Sequence, residues 1–100
     1  MKNTNDTIIY ITEKQDKEVD IPSSHYQKSW YGKAKAIEKV NGDIELKSYN
    51  TIVGRIHNGI FERLWSGYSA TTMRHVNAFL DYYGLDGGGK KWWDSLKVCG

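Results

Sequence analysis

One hundred residues with 39% apolar content suffice for a single domain, taken as 1–100, around one modest core. Fourteen Lys and Arg stand against twelve Asp and Glu, for a formal net charge of +2. This balance argues against a dedicated basic nucleic-acid binder and equally against an acidic DNA mimic, while leaving room for a local basic patch.

The lone cysteine, Cys99, excludes an intramolecular disulfide and a cysteine-based zinc site. No stretch approaches the ~18 apolar residues of a membrane span, and Ile8 to Ile11 is too short for a signal peptide. The expected location is cytoplasmic.

Residues 1–6 are polar and expected to be loose. Thr7 to Thr12 is rich in β-branched residues and predicts a strand. Glu13 to Glu18 is a charged run that suits a solvated loop. Val19 to Pro22 predicts a short extended piece, because Pro22 biases Ile21 away from helix. Ser23 to Lys35 is aromatic and basic, and its composition fits either a strand or a structured loop.

A hairpin follows, with Lys35–Val40 and Ile44–Tyr49 flanking Asn41-Gly42-Asp43. A two-residue loop would set Glu38 against Glu45. A three-residue loop pairs Val40 with Ile44 and Lys39 with Glu45, and is preferred. Ile44, Leu46 and Ser48 alternate as in a half-buried strand.

The stretch from Ser48 to Tyr83 organises the chain. Asn58-Gly59 accepts the positive φ angles of a type I′ turn between two β-rich runs. Its two-residue loop sets His57 opposite Ile60, Ile56 opposite Phe61, Arg55 opposite Glu62 and Ile52 opposite Trp65. Ile52, Gly54, Ile56, Phe61 and Trp65 then share one face, together with Arg63, a charge that fits there only near an edge. Ser69 is a good N-cap, and Met73, Val76, Phe79, Leu80 and Tyr83 form an apolar helical stripe. Gly84 is placed to end the helix. Gly87-Gly88-Gly89 predicts a flexible hinge in 86–100, before the tryptophan-containing tail, which suits a helical turn or a docked strand. The fold class is therefore α+β: an antiparallel meander of about four or five strands with one main helix packed on it.

Chemistry-bearing patterns are sparse. His25, His57, His75 and Cys99 are isolated, with no metal-ligand spacing. No nucleophile elbow occurs, and Ser69, Thr71 and Thr72 near His75 serve helix capping better than catalysis. Asp81, Asp86 and Asp94 lack the apolar setting that raises a carboxyl pKa. Gly87 to Lys91 lacks the spacing of a phosphate loop and an evident following helix. No enzyme activity, cofactor or metal is expected.

Basic and aromatic residues interleave in two clusters: Tyr26, Lys28, Trp30, Tyr31, Lys33 and Lys35, then Lys90, Lys91, Trp92 and Trp93. Such residues can stack bases and offset phosphate charge, anchor a protein interface, or simply fill a small core. All three readings stay open on composition.

Ser48-Tyr49-Asn50-Thr51-Ile52-Val53, the Asn58-Gly59 turn and Tyr68-Ser69-Ala70-Thr71-Thr72-Met73-Arg74-His75-Val76-Asn77-Ala78-Phe79-Leu80 together resemble a family of small uncharacterised proteins of bacteriophages and prophages. Members show a SYNT-like strand start and a Y-S-x-T-T-x-x-H helix start. The resemblance covers about residues 46–84. It implies action inside an infected bacterium, in the host cytoplasm. By context of origin it also implies binding of a host protein, such as a component of CRISPR or another defence system. Nucleic-acid binding through the two clusters, or a structural homodimer paired at a strand edge, are the alternatives.

Overall fold

The computed structural model describes residues 15–22 and 33–99. Five strands, β1 (Lys17–Asp20), β2 (Ala34–Glu38), β3 (Ile44–Ser48), β4 (Thr51–His57) and β5 (Ile60–Arg63), pair antiparallel in chain order. Helix α1 (Ala70–Tyr82) packs on β2 and β3, and a short helix α2 (Lys90–Ser95) follows. The α+β meander with one main helix is thus the observed architecture. The strand expected at Thr7–Thr12 and the loose start at 1–6 lie outside the described residues.

Part of the charged run expected to form a loop is strand. Lys17 and Glu18 belong to β1, paired with Glu38 and Ile37. The charges before and within it are engaged: Asp16 accepts a hydrogen bond from the Val40 amide (3.0 Å) and meets Lys39 Nζ at 3.1 Å. Cross-strand ion pairing, which the local sequence does not display, turns this run into a sheet edge.

The β2–β3 loop has the expected length but sits one residue earlier. Lys39 N–H donates to the Asp43 carbonyl (2.8 Å) and Gly42 N–H to the Lys39 carbonyl (3.0 Å), so the loop is 40–42. Glu38 therefore faces Ile44, and Glu45 faces Ile37 instead of Lys39. Gly42 decides the register: its φ of 98° is the left-handed conformation that the third residue of such a loop requires. Asn41 supports the turn by accepting from the Asp43 amide at 2.9 Å. Each partner moves by two positions, so every side chain keeps its predicted face.

At the β4–β5 hairpin, Asn58 (φ 52°) and Gly59 (φ 78°) form the turn, and three of the four expected pairs are present. Arg55 Nε donates to Glu62 at 2.6 Å. The fourth pair fails because the ladder ends at Gly54–Arg63, where the Leu64 and Trp65 amides both donate to the Val53 carbonyl (2.9 and 3.2 Å). The β3–β4 register also slips between Leu46 and Lys47, which leaves Val53 as an extra residue. Val53, 1% exposed, takes the core place expected for Ile52. Gly54 lies under Phe61, whose ring occupies the space a Cβ would fill.

Leu46, Val53 and Ile56 from the sheet meet Met73, Val76, Phe79 and Leu80 from α1, with Ala34 and Ala36 admitting the helix closely. Each fully buried Leu, Ile, Val or Phe contributes about 1.5–3 kcal/mol. Ser69 caps α1 by accepting from the Thr72 amide (3.0 Å). At the other end Leu85 N–H reaches the Leu80 carbonyl (2.7 Å) and Gly84 N–H the Asp81 carbonyl (3.0 Å), a Schellman closure with Gly84 at φ 77°. No helix among the described residues is long and apolar enough to cross a membrane.

Candidate functional site

Two buried polar centres hold the architecture. Ser48, at the end of β3, faces the core, and its Oγ lies 2.7 Å from His75 Nδ1. Ser48 is 3% exposed and His75 0%, so the pair has no open face toward solvent. Burial, and then the nearby charge of Lys33, hold the imidazole below its ordinary pKa of 6.5, so it is neutral at pH 7. Tyr49, in a left-handed conformation (φ 55°), sets its ring 5.6 Å from that of His75. Lys33 Nζ lies over the Tyr49 ring, 5.8 Å from its centre. The sequence suggested hydroxyls on α1 as neighbours of His75. The actual partner lies on a strand 27 residues away.

Arg63 is the second centre. Only 7% exposed on edge strand β5, it pairs with no carboxylate among the described residues; its guanidinium donates to backbone carbonyls. Nε reaches Trp65 (2.8 Å), Nη1 reaches Trp93 (2.8 Å) and Nη2 reaches Ser66 (2.8 Å). The guanidinium also stands 4.5 Å from the Trp93 ring centre. A planar fork of five N–H donors suits this task, gathering the 64–67 loop and the end of α2 onto β5. The chain then returns to the sheet, where Cys99 N–H donates to the Arg63 carbonyl at 2.7 Å and Val98 bridges Arg63 in parallel. Of the two expected forms of the tail, the helical turn is present as α2; in place of a docked strand there is a single bridge at Val98.

Of the candidate contact residues, Tyr26, Lys28, Trp30 and Tyr31 lie outside the described residues. Lys33 is exposed beside Tyr49. Lys90 and Lys91 are exposed, and Lys90 pairs with Asp94 at 2.6 Å. Trp92 is half-buried against Phe61, with ring centres 6.0 Å apart. Trp93 offers no surface to a partner. It is wholly buried, and its Nε1 donates to the Gly67 carbonyl at 2.8 Å. The pattern of alternating types does not separate the two tryptophans; the turn of about 100° between neighbours on α2 does, burying Trp93 fully and Trp92 in part.

Among the surface features that the described residues form is a groove of about 570 Å³ along α1, opposite the glycine loop; another, of about 620 Å³, lies between the start of β1 and the β2–β3 loop, lined by Asp16, Glu18 and Lys39. Asn77 builds the groove along α1: its Nδ2 donates to the Met73 carbonyl within α1 and to the Gly88 carbonyl across the gap, each at 2.9 Å. Gly87 and Gly88 are required by proximity, since a Cβ would strike Asn77 or Trp92. The segment expected to act as a hinge is thereby tied to the helix, and α2 does follow it. Tyr68 and Lys90 stand at one lip, Lys90 Nζ lying 5.3 Å from the Tyr68 ring centre. Arg74, Asp81 and Asp86 line the same groove. Among the described residues, no group of three or more His, Cys, Asp or Glu side chains gathers as metal ligands would.

The fold and these sites define a small α+β meander domain whose buried polar residues are architectural and whose described groove lies on the outer side of its main helix. The chain belongs to a family of unknown function (DUF8033), whose model matches residues 21–95. Comparison with curated proteins and with solved structures gave no match.

Proposed function

We propose that this chain is a non-catalytic binding domain that engages another protein. The observation that carries this reading is the preformed groove along α1. It presents an aromatic ring, cations and carboxylates on a wall that Asn77 holds in place. The resemblance to phage-borne proteins adds the class of partner, a host protein and among these a component of a defence system.

The nucleic-acid alternative draws less support from the tail cluster. Its lysines are exposed, but Trp93 is core and Trp92 packs on Phe61, so the stacking platforms that would accompany them are taken up by the fold. Affinity capture of the tagged protein from bacterial lysate, with and without nuclease, tests the proposal. A defined protein retained after nuclease is expected. Recovery that vanishes with nuclease, or catalytic turnover by the purified chain, would overturn it.

A further inference from the structure

One cation and two carboxylates in the groove differ from other charges of the chain. Lys90 is neutralised by Asp94, and Arg55 by Glu62. Arg74, Asp81 and Asp86 line the groove, are exposed, and their side chains make no ion pair or hydrogen bond among the described residues. They are also segregated. Arg74 lies toward the start of α1, on the side of Tyr68 and Lys90, whereas Asp81 lies two turns later, near the helix end where Asp86 follows. Seven residues of helix separate Arg74 from Asp81, which is about 10 Å of rise.

The groove is therefore polarised, positive toward one end and negative toward the other, with Met73, Ala78 and Leu85 contributing apolar wall between. Small zwitterions such as free amino acids are too short to reach both ends. Nucleic acid would meet two uncompensated carboxylates at the second end. A uniformly acidic or uniformly basic peptide would satisfy one end and be repelled at the other.

From this charge complementarity we propose that the groove docks a segment of a partner polypeptide carrying an acidic and a basic side chain about 10 Å apart. The acidic side chain is held at Arg74 and the basic one at Asp81 and Asp86. Apolar atoms between them rest on the central wall. This inference rests on the protein-binding reading above and adds the chemistry of the ligand. Because Asn77 fixes the glycine loop to α1, little ordering of the groove is needed on docking.

The test uses the full chain and a displayed library of random peptides. Selection should enrich sequences with one acidic and one basic residue separated by a short spacer. For an enriched peptide, changing its acid to Lys should weaken binding roughly tenfold, and pairing that peptide with the Arg74→Glu variant should restore it. Arg74 is exposed and its side chain makes no bond among the described residues, so the variant is expected to keep the fold. Enriched peptides without the charge pair, failure of the swap to restore binding, or no enrichment above bare matrix would each overturn the proposal. If Arg74→Glu still retains the lysate partner at wild-type yield, the groove assignment falls while the binding-domain reading stands. If neither lysate protein nor peptide is retained, both fall.

Discussion

Ser48 Oγ and His75 Nδ1 lie 2.7 Å apart in the closed interior, joining the end of β3 to the second turn of α1. The two residues sit in the two separate halves of the sequence pattern that marks this chain, the SYNT-like strand start and the helix start. The pattern is thus one piece of architecture seen twice along the chain. Replacing Ser48 by Ala leaves a buried ring nitrogen without this partner. The expected loss is about 1–3 kcal/mol, seen as a lower urea midpoint with an unchanged slope.

The same pair sets an acid response. His75 is depressed below 6.5 by burial and then by Lys33, so the unfolded chain binds its proton more readily than the native one. Well above pH 7 both states are neutral at this site and it contributes nothing. As pH falls through about 6.5, proton uptake by the unfolded state lowers stability, and the loss continues down to the native pKa. Urea midpoints of the wild type should fall between pH 7.5 and 5. A His75→Gln variant should show a visibly shallower fall over that range, whatever its stability at pH 7.5. Equal slopes would refute the assignment.

Arg63 should tolerate no cationic substitute. Arg63→Lys keeps the charge but lacks the fork that reaches Trp65, Ser66 and Trp93 together. A loss on the order of 3 kcal/mol is expected, since several carbonyls lose their donor at once. Tryptophan emission should shift to the red as Trp93 gains solvent. An unchanged spectrum and midpoint would show that the carbonyls find other donors.

Gly54→Ala probes the ring packed over the sheet. The new methyl would meet Phe61 and come within 3.1 Å of the Glu62 carbonyl. Crowding of this kind costs about 1–3 kcal/mol. A thermal midpoint indistinguishable from wild type would mean that Phe61 moves freely, against its contacts with Phe79 and Trp93.

The fold was legible wherever local chemistry decides it. Asn58-Gly59 and Gly84 act through their own backbone and Ser69 through its own hydroxyl, and each does what its residue type dictates. The β2–β3 loop sits one residue from where charge pairing would put it, because the left-handed conformation of Gly42 outweighs a Lys39–Glu45 pair. Val53 displaced Ile52 because a bulge depends on both neighbouring strands and leaves no local sign. Arg63 showed on the buried face of its strand, but its acceptors are carbonyls, which every residue carries and no sequence pattern distinguishes. The groove was invisible for a similar reason. It arises from Asn77 reaching Gly88, a contact between two residues that are each common in their own settings.

The meander has a consequence for how the chain comes into being. From β2 to β5 each strand pairs with the next across a short loop, so the hairpins need little chain to close. Ser48 must wait for His75, 27 residues later, and Arg63 for Trp93, 30 residues later. During synthesis the sheet can therefore assemble before its cover is made, with Leu46, Val53 and Ile56 facing water until α1 and the indole of Trp93 emerge. That interval is when the molecule is most open to aggregation. A chain stopped short of residue 90 would remain in it.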